Sequence, residues 1–217
     1  MQAPAILARG HWPVERVHAR WREQHYEPPV RLAAAADEAI LALRERGSPS
    51  HDGLSARLVS HVERSSELLL ELQPMRWALR LVEGDASGSM AALTVTRAAD
   101  GRWLAGRRAP WLSSWPGRWA LGAGGAVDVG ESPARTLARE LREEWSVDPA
   151  QLTVEALVRL PHQLVMVVGL AWLPDGAEVA MDAEHDACAW WPADVADWPD
   201  EADEPLRRMA TLLAAGS

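Results

Sequence analysis

Apolar residues recur along this chain at helical spacing in some stretches and in short strand-like runs in others, with polar, glycine- or proline-bearing segments between them. Arg31 to Arg46 (RLAAAADEAILALRER) is rich in helix formers and stops at Gly47-Ser48-Pro49, which predicts a helix. Ala56 to Val62 and Glu67 to Gln73 read as strands of a hairpin turning at Glu63-Arg64-Ser65-Ser66. Met75 to Val82 fits strand or helix, because periodicity does not decide so short a run. Glu83 to Ser89 (EGDASGS) is polar and carries glycine, so it divides an N-terminal α+β extension, residues 1–88, from a second domain, residues 89–217. There the pattern predicts strands at Ala91 to Arg97, Trp103 to Arg107, around Ala120, and at Leu152 to Leu160, Leu164 to Trp172 and Ala187 to Trp191. Helices interleave with them after Ser132 and over Pro205 to Ala215, an α/β order with a mixed sheet.

The helix after Ser132 carries the chemistry. A hydroxyl N-cap followed by proline at the first helical position is a strong start signal. At 100° per residue, Ala134, Leu137, Ala138, Leu141 and Trp145 fall on one stripe, while Glu140, Glu143 and Glu144 share a different face. Glutamates three and four residues apart repel unless cations sit among them. Mg²⁺ suits such a cluster, because it takes hard oxygen ligands and keeps several waters. The plainer alternative is a solvated acidic face.

Spacing decides between the two. Residues Gly125 to Val147, GAVDVGESPARTLARELREEWSV, follow G-x5-E-x7-R-E-U-x-E-E-x-G-U, with U aliphatic, through Gly125, Glu131, Arg139, Glu140, Leu141, Glu143, Glu144 and Val147. Six exact identities, each met by chance about one time in ten or less, make a coincidence roughly one in a million per window. The stretch resembles the Nudix box of the MutT-like hydrolases, which cleave nucleoside diphosphates linked to another moiety. The resemblance covers about residues 90 to 215 and implies a Nudix α/β/α sandwich. It implies Glu140, Glu143 and Glu144 as metal ligands, with the carbonyl near Gly125 as a further one, and Mg²⁺ as cofactor with Mn²⁺ as an alternative. Arg139 would orient the carboxylates, Glu131 would support the loop, and Glu140 stands as either ligand or base. A further base is expected on a loop past the sheet, where Glu184 is the first candidate and Asp186 the second. His185 and His162 are read as structural histidines. Arg107, Arg108 and Arg118, in GRR…WPGRW, are candidates to grip phosphate, and Trp115, with Trp111 and Trp119, to stack a base. The region ahead of the box bears a weaker likeness to nucleotide-sugar-directed Nudix proteins of the UDP-glucose diphosphatase kind; a plain extension or a dimerisation arm, hence a homodimer, is the other reading.

Ser146 departs from the pattern, standing where glycine is expected. A glycine there supplies a positive φ after the helix, which a serine adopts at a cost of roughly 1–2 kcal/mol or avoids by ending the helix differently.

Composition narrows the partners. With 217 residues, 48% hydrophobic, the chain can bury a full core. A net charge of −9 provides no positive field for a nucleic-acid polymer, so the expected partner is a small nucleoside diphosphate derivative. The start, MQAPAILARGHWPVER, has too short an apolar run for a secretory signal, and no segment reaches a membrane span, which reads as cytoplasmic. All 22 basic residues are arginine, so every cation available to grip phosphate is a guanidinium. Two other functions compete: an isopentenyl-diphosphate-isomerase-like enzyme, which relies on a cysteine near the box where this chain has only Cys188 far downstream, and a non-catalytic Nudix-fold nucleotide-binding module, which would usually lack box glutamates.

Overall fold

The computed structural model describes residues 4–48, 52–64 and 66–215. Strands β1 (Ala5–Pro13), β2 (Val17–Trp21), β3 (Leu54–Arg64), β4 (Glu67–Arg76), β5 (Met90–Arg97), β6 (Trp103–Arg108), β7 (Trp119–Leu121), β8 (Ala123–Ala126), β9 (Gln151–Arg159), β10 (Val165–Trp172) and β11 (His185–Trp191) are joined by helices α1 (Val30–Glu45), α2 (Pro133–Trp145) and α3 (Glu204–Ala214). The large sheet has eight strands in the order β1-β9-β10-β5-β6-β11, with β7 added on β6 and β8 on β5. It is mixed, because β10 runs parallel to β5 while its other pairs are antiparallel.

Strand alternation gives this sheet two apolar faces. Met90, Ala92, Val165 and Val167 pack on one side with Ala134 and Leu137 of α2. Val95, Val168 and Leu170 pack on the other with Ala210 and Leu213 of α3. The result is the α/β/α sandwich expected of the second domain. The apolar stripe of α2 is buried at Ala134, Leu137, Leu141 and Trp145, as its periodicity predicts, while Ala138 is only half-buried.

The first 88 residues do not stand apart. A second sheet, β2-β4-β3, carries the predicted hairpin, whose turn residue Ser65 lies outside the described residues, as does Pro49 of the predicted helix stop. The ambiguous run from Met75 to Val82 is the end of β4 followed by a 3-10 turn, Trp77–Leu81, which packs with α1 through Leu32, Ala36, Ile40, Leu43 and Leu79. Leu68, Leu70 and Leu72 of β4 enter the same core as α2. Ala56 N–H donates to Val127 O at 2.8 Å, and the Trp21 indole N–H donates to Glu131 O at 3.2 Å, so the extension grips the loop that leads into α2. Strands β1 and β2 escape the sequence pattern. Register shifts between Ile6 and Ala8 and between Arg9 and Trp12 break the alternation of β1, which pairs with β9 at the edge of the large sheet.

Helix α2 starts as its sequence predicts, the Ser132 hydroxyl accepting the Arg135 N–H at 3.3 Å. It ends on Ser146 in the left-handed region, φ 55° and ψ 33°, with its N–H on Arg142 O at 3.0 Å. Serine therefore takes the glycine conformation and bears its strain. Ser146→Gly is expected to raise stability by about 0.5–1 kcal/mol, the relieved strain less the extra chain entropy of glycine, read as a shift in denaturant midpoint without a change in slope.

Candidate active site

The pattern glutamates divide on folding. Glu140 and Glu144 are buried at 8% and 3% exposure, whereas Glu143 is exposed and reaches back to Arg139. Glu140 lies against the β8 backbone so closely that a Cβ at Gly125 would overlap its carboxylate, which accounts for glycine at that position. Glu144 Oε1 accepts the Gly124 N–H at 2.9 Å, while its Oε2 is buried with no hydrogen-bond partner. Burial pushes Glu140 up to about 7, with Arg139 opposing and Glu143 and Glu184 adding to the rise. Glu144 is raised well above the usual carboxylate range, again through burial first, with the Gly124 N–H opposing and Glu140 and Glu184 adding.

Arg139 is the cation within this group. It donates through Nε and Nη2 to Glu131 at 3.1–3.3 Å, through Nη1 to Glu143 at 2.8 Å and through Nη2 to Ala126 O at 3.2 Å, and its Nη1 lies 2.7 Å from Glu140. Burial works against its charge, but the hydrogen bonds it donates to Glu131 and the carboxylates of Glu140, Glu131 and Glu143 outweigh it and hold the guanidinium above its ordinary pKa. Glu131 is completed by the Thr136 hydroxyl at 2.8 Å.

With the carboxylates turned to Arg139, no group of three or more His, Cys, Asp or Glu side chains among the described residues is gathered closely enough to hold a metal ion. The donor set nonetheless fits a hard divalent cation. Two desolvated carboxylates and a third one turn apart share a helix face next to a glycine backbone, and oxygen ligands of this kind suit Mg²⁺ or Mn²⁺.

Glu184 immediately precedes β11 and is half-buried, its carboxyl raised through burial, with Arg108 and Arg80 opposing and Asp182 and Glu143 adding. The charge of Glu184 is thus felt by Glu140 and Glu144 of α2. Asp186 is turned away onto Arg107 at 2.7 Å. Of the candidate arginines, Arg107 is held by Asp186 and Arg118 by Asp203 at 2.6 Å. Arg108 differs: its Nε donates to Ser114 O at 2.9 Å, and its charge acts on Glu144, Glu184 and His185. Trp111 and Trp115 are exposed, whereas Trp119 packs on Trp191 with ring centroids 5.5 Å apart. A surface cavity of about 450 Å³ lined by Trp119, Trp190 and Trp191 lies at the far end of β11 from Glu184.

Arg80 escaped the sequence reading, and His185 was read there as structural. Arg80, from the extension's 3-10 turn, has no hydrogen bond or ion pair among the described residues and makes only a cation–π contact with Trp77 at 5.4 Å. Burial, then Arg108, pushes its pKa down to about 10, with Glu140 and Glu184 opposing, so it sits among the site's charges although no pattern pointed to it. His185, the first residue of β11, is packed on Trp145 with ring centroids 4.6 Å apart. Its Nε2 lies 3.7 Å from Glu144 Oε2.

The NUDIX domain family matches residues 89–213. That is more than half of the chain and includes α2 and all its glutamates: the chain belongs to the NUDIX domain family and is a Nudix hydrolase. Similar solved structures include a MutT NUDIX hydrolase from Burkholderia pseudomallei (23% identity, 58% of this chain and 97% of that one, TM-score 0.48). Others are a MutT protein from Methanosarcina mazei Go1 (20% identity, 58% and 93%, TM-score 0.45) and a C. elegans Ap4A hydrolase (21% identity, 58% and 96%, TM-score 0.45). No curated protein matches the chain. No described helix is long and apolar enough to cross a membrane.

The raised carboxyl of Glu140 makes a prediction for stability without divalent metal. A group whose pKa is about 7 when folded and near 4.5 otherwise binds a proton preferentially in the folded state. Its contribution is fully favourable below pH 4.5 and is lost as pH rises through 7, on the order of 3 kcal/mol. Thermal unfolding of the metal-free protein between pH 5 and 8 is expected to show a falling Tm, flattened in Glu140→Gln. Millimolar Mg²⁺ at pH 8 should recover much of the loss in the native protein only.

Proposed function

We propose that this Nudix hydrolase cleaves the diphosphate linkage of a small nucleoside diphosphate derivative, a nucleotide sugar or related small nucleotide, with Mg²⁺ as its cofactor and Mn²⁺ as a substitute. The observation that carries the reading is the desolvation of Glu140 and Glu144 against the Gly124-Gly125 backbone. Glu140, Glu143, Glu144 and the Gly125 carbonyl would hold the cation, which when bound lowers the pKa of water and neutralises phosphoryl oxygens.

The chain's own residues divide the remaining work. Glu184, whose raised pKa brings it nearer neutrality, takes the proton of the attacking water. Arg139 and Glu131 brace the carboxylates and the loop. Arg108 and Arg80 grip substrate phosphate, since the Arg108 charge depresses the Arg80 guanidinium and an anion between the two relieves that repulsion. Arg107 and Arg118 are engaged by Asp186 and Asp203, which leaves them a lesser part, and Trp115 is an exposed surface for a base. Residues 1–88 serve as an extension of the domain at 89–217, steadying its loop through Trp21 and lending Arg80. Cys188 is exposed, which gives the isomerase alternative no support.

The test is a panel of nucleotide sugars, ADP-ribose, dinucleotides and oxidised nucleotides with Mg²⁺, scored for phosphate-bearing products. At least one compound is expected to turn over, and Glu144→Gln should lower kcat/KM about 10³-fold or more. Absence of turnover together with absence of Mg²⁺ binding would overturn the reading. Arg80→Ala is expected to raise KM about tenfold while kcat changes less than about threefold, the signature of lost ground-state phosphate binding.

A further inference from the structure

Two buried polar atoms in the site lack hydrogen-bond partners, and they face each other: Glu144 Oε2 and His185 Nε2, 3.7 Å apart. Their side chains are 4% and 1% exposed, so water does not serve either of them. An unsatisfied buried polar group costs about 1–3 kcal/mol, and 3.7 Å is beyond a hydrogen bond, but an approach of less than about 1 Å satisfies both atoms at once. The carboxylate oxygen only accepts, whereas Nε2–H donates in the imidazolium and in one of the two neutral tautomers.

Everything around His185 fixes its ring. Trp145 of α2 packs on one side, and a Cβ at Gly106 of β6 would overlap the ring on another. Asp182 Oδ1 lies 3.4 Å from Nδ1 and accepts the Glu184 N–H at 2.9 Å. The loop bearing Asp182 is tied to the end of α2, with the Asp182 N–H on Glu144 O and the Ala180 N–H on Trp145 O, both at 3.0 Å. The Asp182 and Glu144 backbones are thus anchored to each other, with the His185 ring beside both side chains.

We propose that His185 is a positioning residue: it donates from Nε2 to Glu144 Oε2, fixing the carboxylate that Gly124 holds by its other oxygen. The inference rests on reading Glu144 as a cation ligand and extends it to the support of that ligand. Outer partners of this kind, when removed, typically cost 10–100-fold in metal affinity.

The test uses the full chain with Mg²⁺ alone, titrated calorimetrically against the native protein, Glu144→Gln, His185→Ala and His185→Gln, whose amide N–H can stand where Nε2–H does. Mg²⁺ affinity is expected to fall 10–100-fold in His185→Ala and to return within about threefold of native in His185→Gln. In turnover assays, KM for the nucleotide should stay unchanged in His185→Ala, the loss appearing in the Mg²⁺ requirement. Ring ¹H–¹⁵N spectra give a reading free of metal, namely an Nε2-bound proton on His185 that shifts in Glu144→Gln. If His185→Ala does not fold, native-like Mg²⁺ affinity in His185→Gln with the Nε2 proton signal in the native protein supports the proposal. Undiminished Mg²⁺ binding in folded His185→Ala overturns it, as does an Nε2 that carries no proton. Failure of the parent reading looks different, because then native and Glu144→Gln proteins bind Mg²⁺ equally poorly.

Discussion

The charge of Arg139 is the constraint on which the rest of the site depends. One guanidinium joins Glu131 and the Ala126 carbonyl on the loop to Glu140 and Glu143 on α2. Without a cation at that point, the glutamates of a single helix face would repel one another, and two are already desolvated. A planar fork with five donors suits this task, since it can serve loop and helix carboxylates together and does not lose its proton near neutral pH. The loop geometry and the carboxylate geometry are thereby one problem with one solution.

A second layer of constraint comes from small residues where the chain must approach itself. Gly125 leaves room for the Glu140 carboxylate, and Gly106 leaves room for the His185 ring and Trp145. At Ser146, by contrast, the backbone takes a positive φ at the end of α2 with a side chain present. The first two are matters of space, the third of backbone strain.

How much of this was legible in the sequence follows the range of the forces involved. Helix α2, its cap and most of its buried stripe are local consequences of residue order, and they read directly. So did most strands of the domain at 89–217, whose apolar runs are long and whose turns carry glycine. Strand β1 did not, because its two irregularities erase the period of two and only Ala8 and Trp12 are deeply buried. Arg80 and His185 were unreadable as site neighbours for another reason. Each reaches the carboxylates from an element far away in the chain, and only the folded arrangement brings them near α2. Glu184 was a candidate through the family resemblance, whereas the engagement of Arg107 and Arg118 by acidic partners requires knowledge of which strands and loops adjoin.

Strand β1 also bears on where this protein can be divided. The family match begins at residue 89, yet the outermost partner of β9 is formed by residues 5–13. A fragment beginning at 89 would keep the glutamates and lose the strand that covers β9, leaving nine residues of backbone donors and acceptors, with Leu152, Val154, Leu157 and Val158 among them, as an open sheet edge. Such an edge pairs readily with other chains. The N-terminal strand therefore covers β9, and the large sheet extends beyond the recognisable family domain.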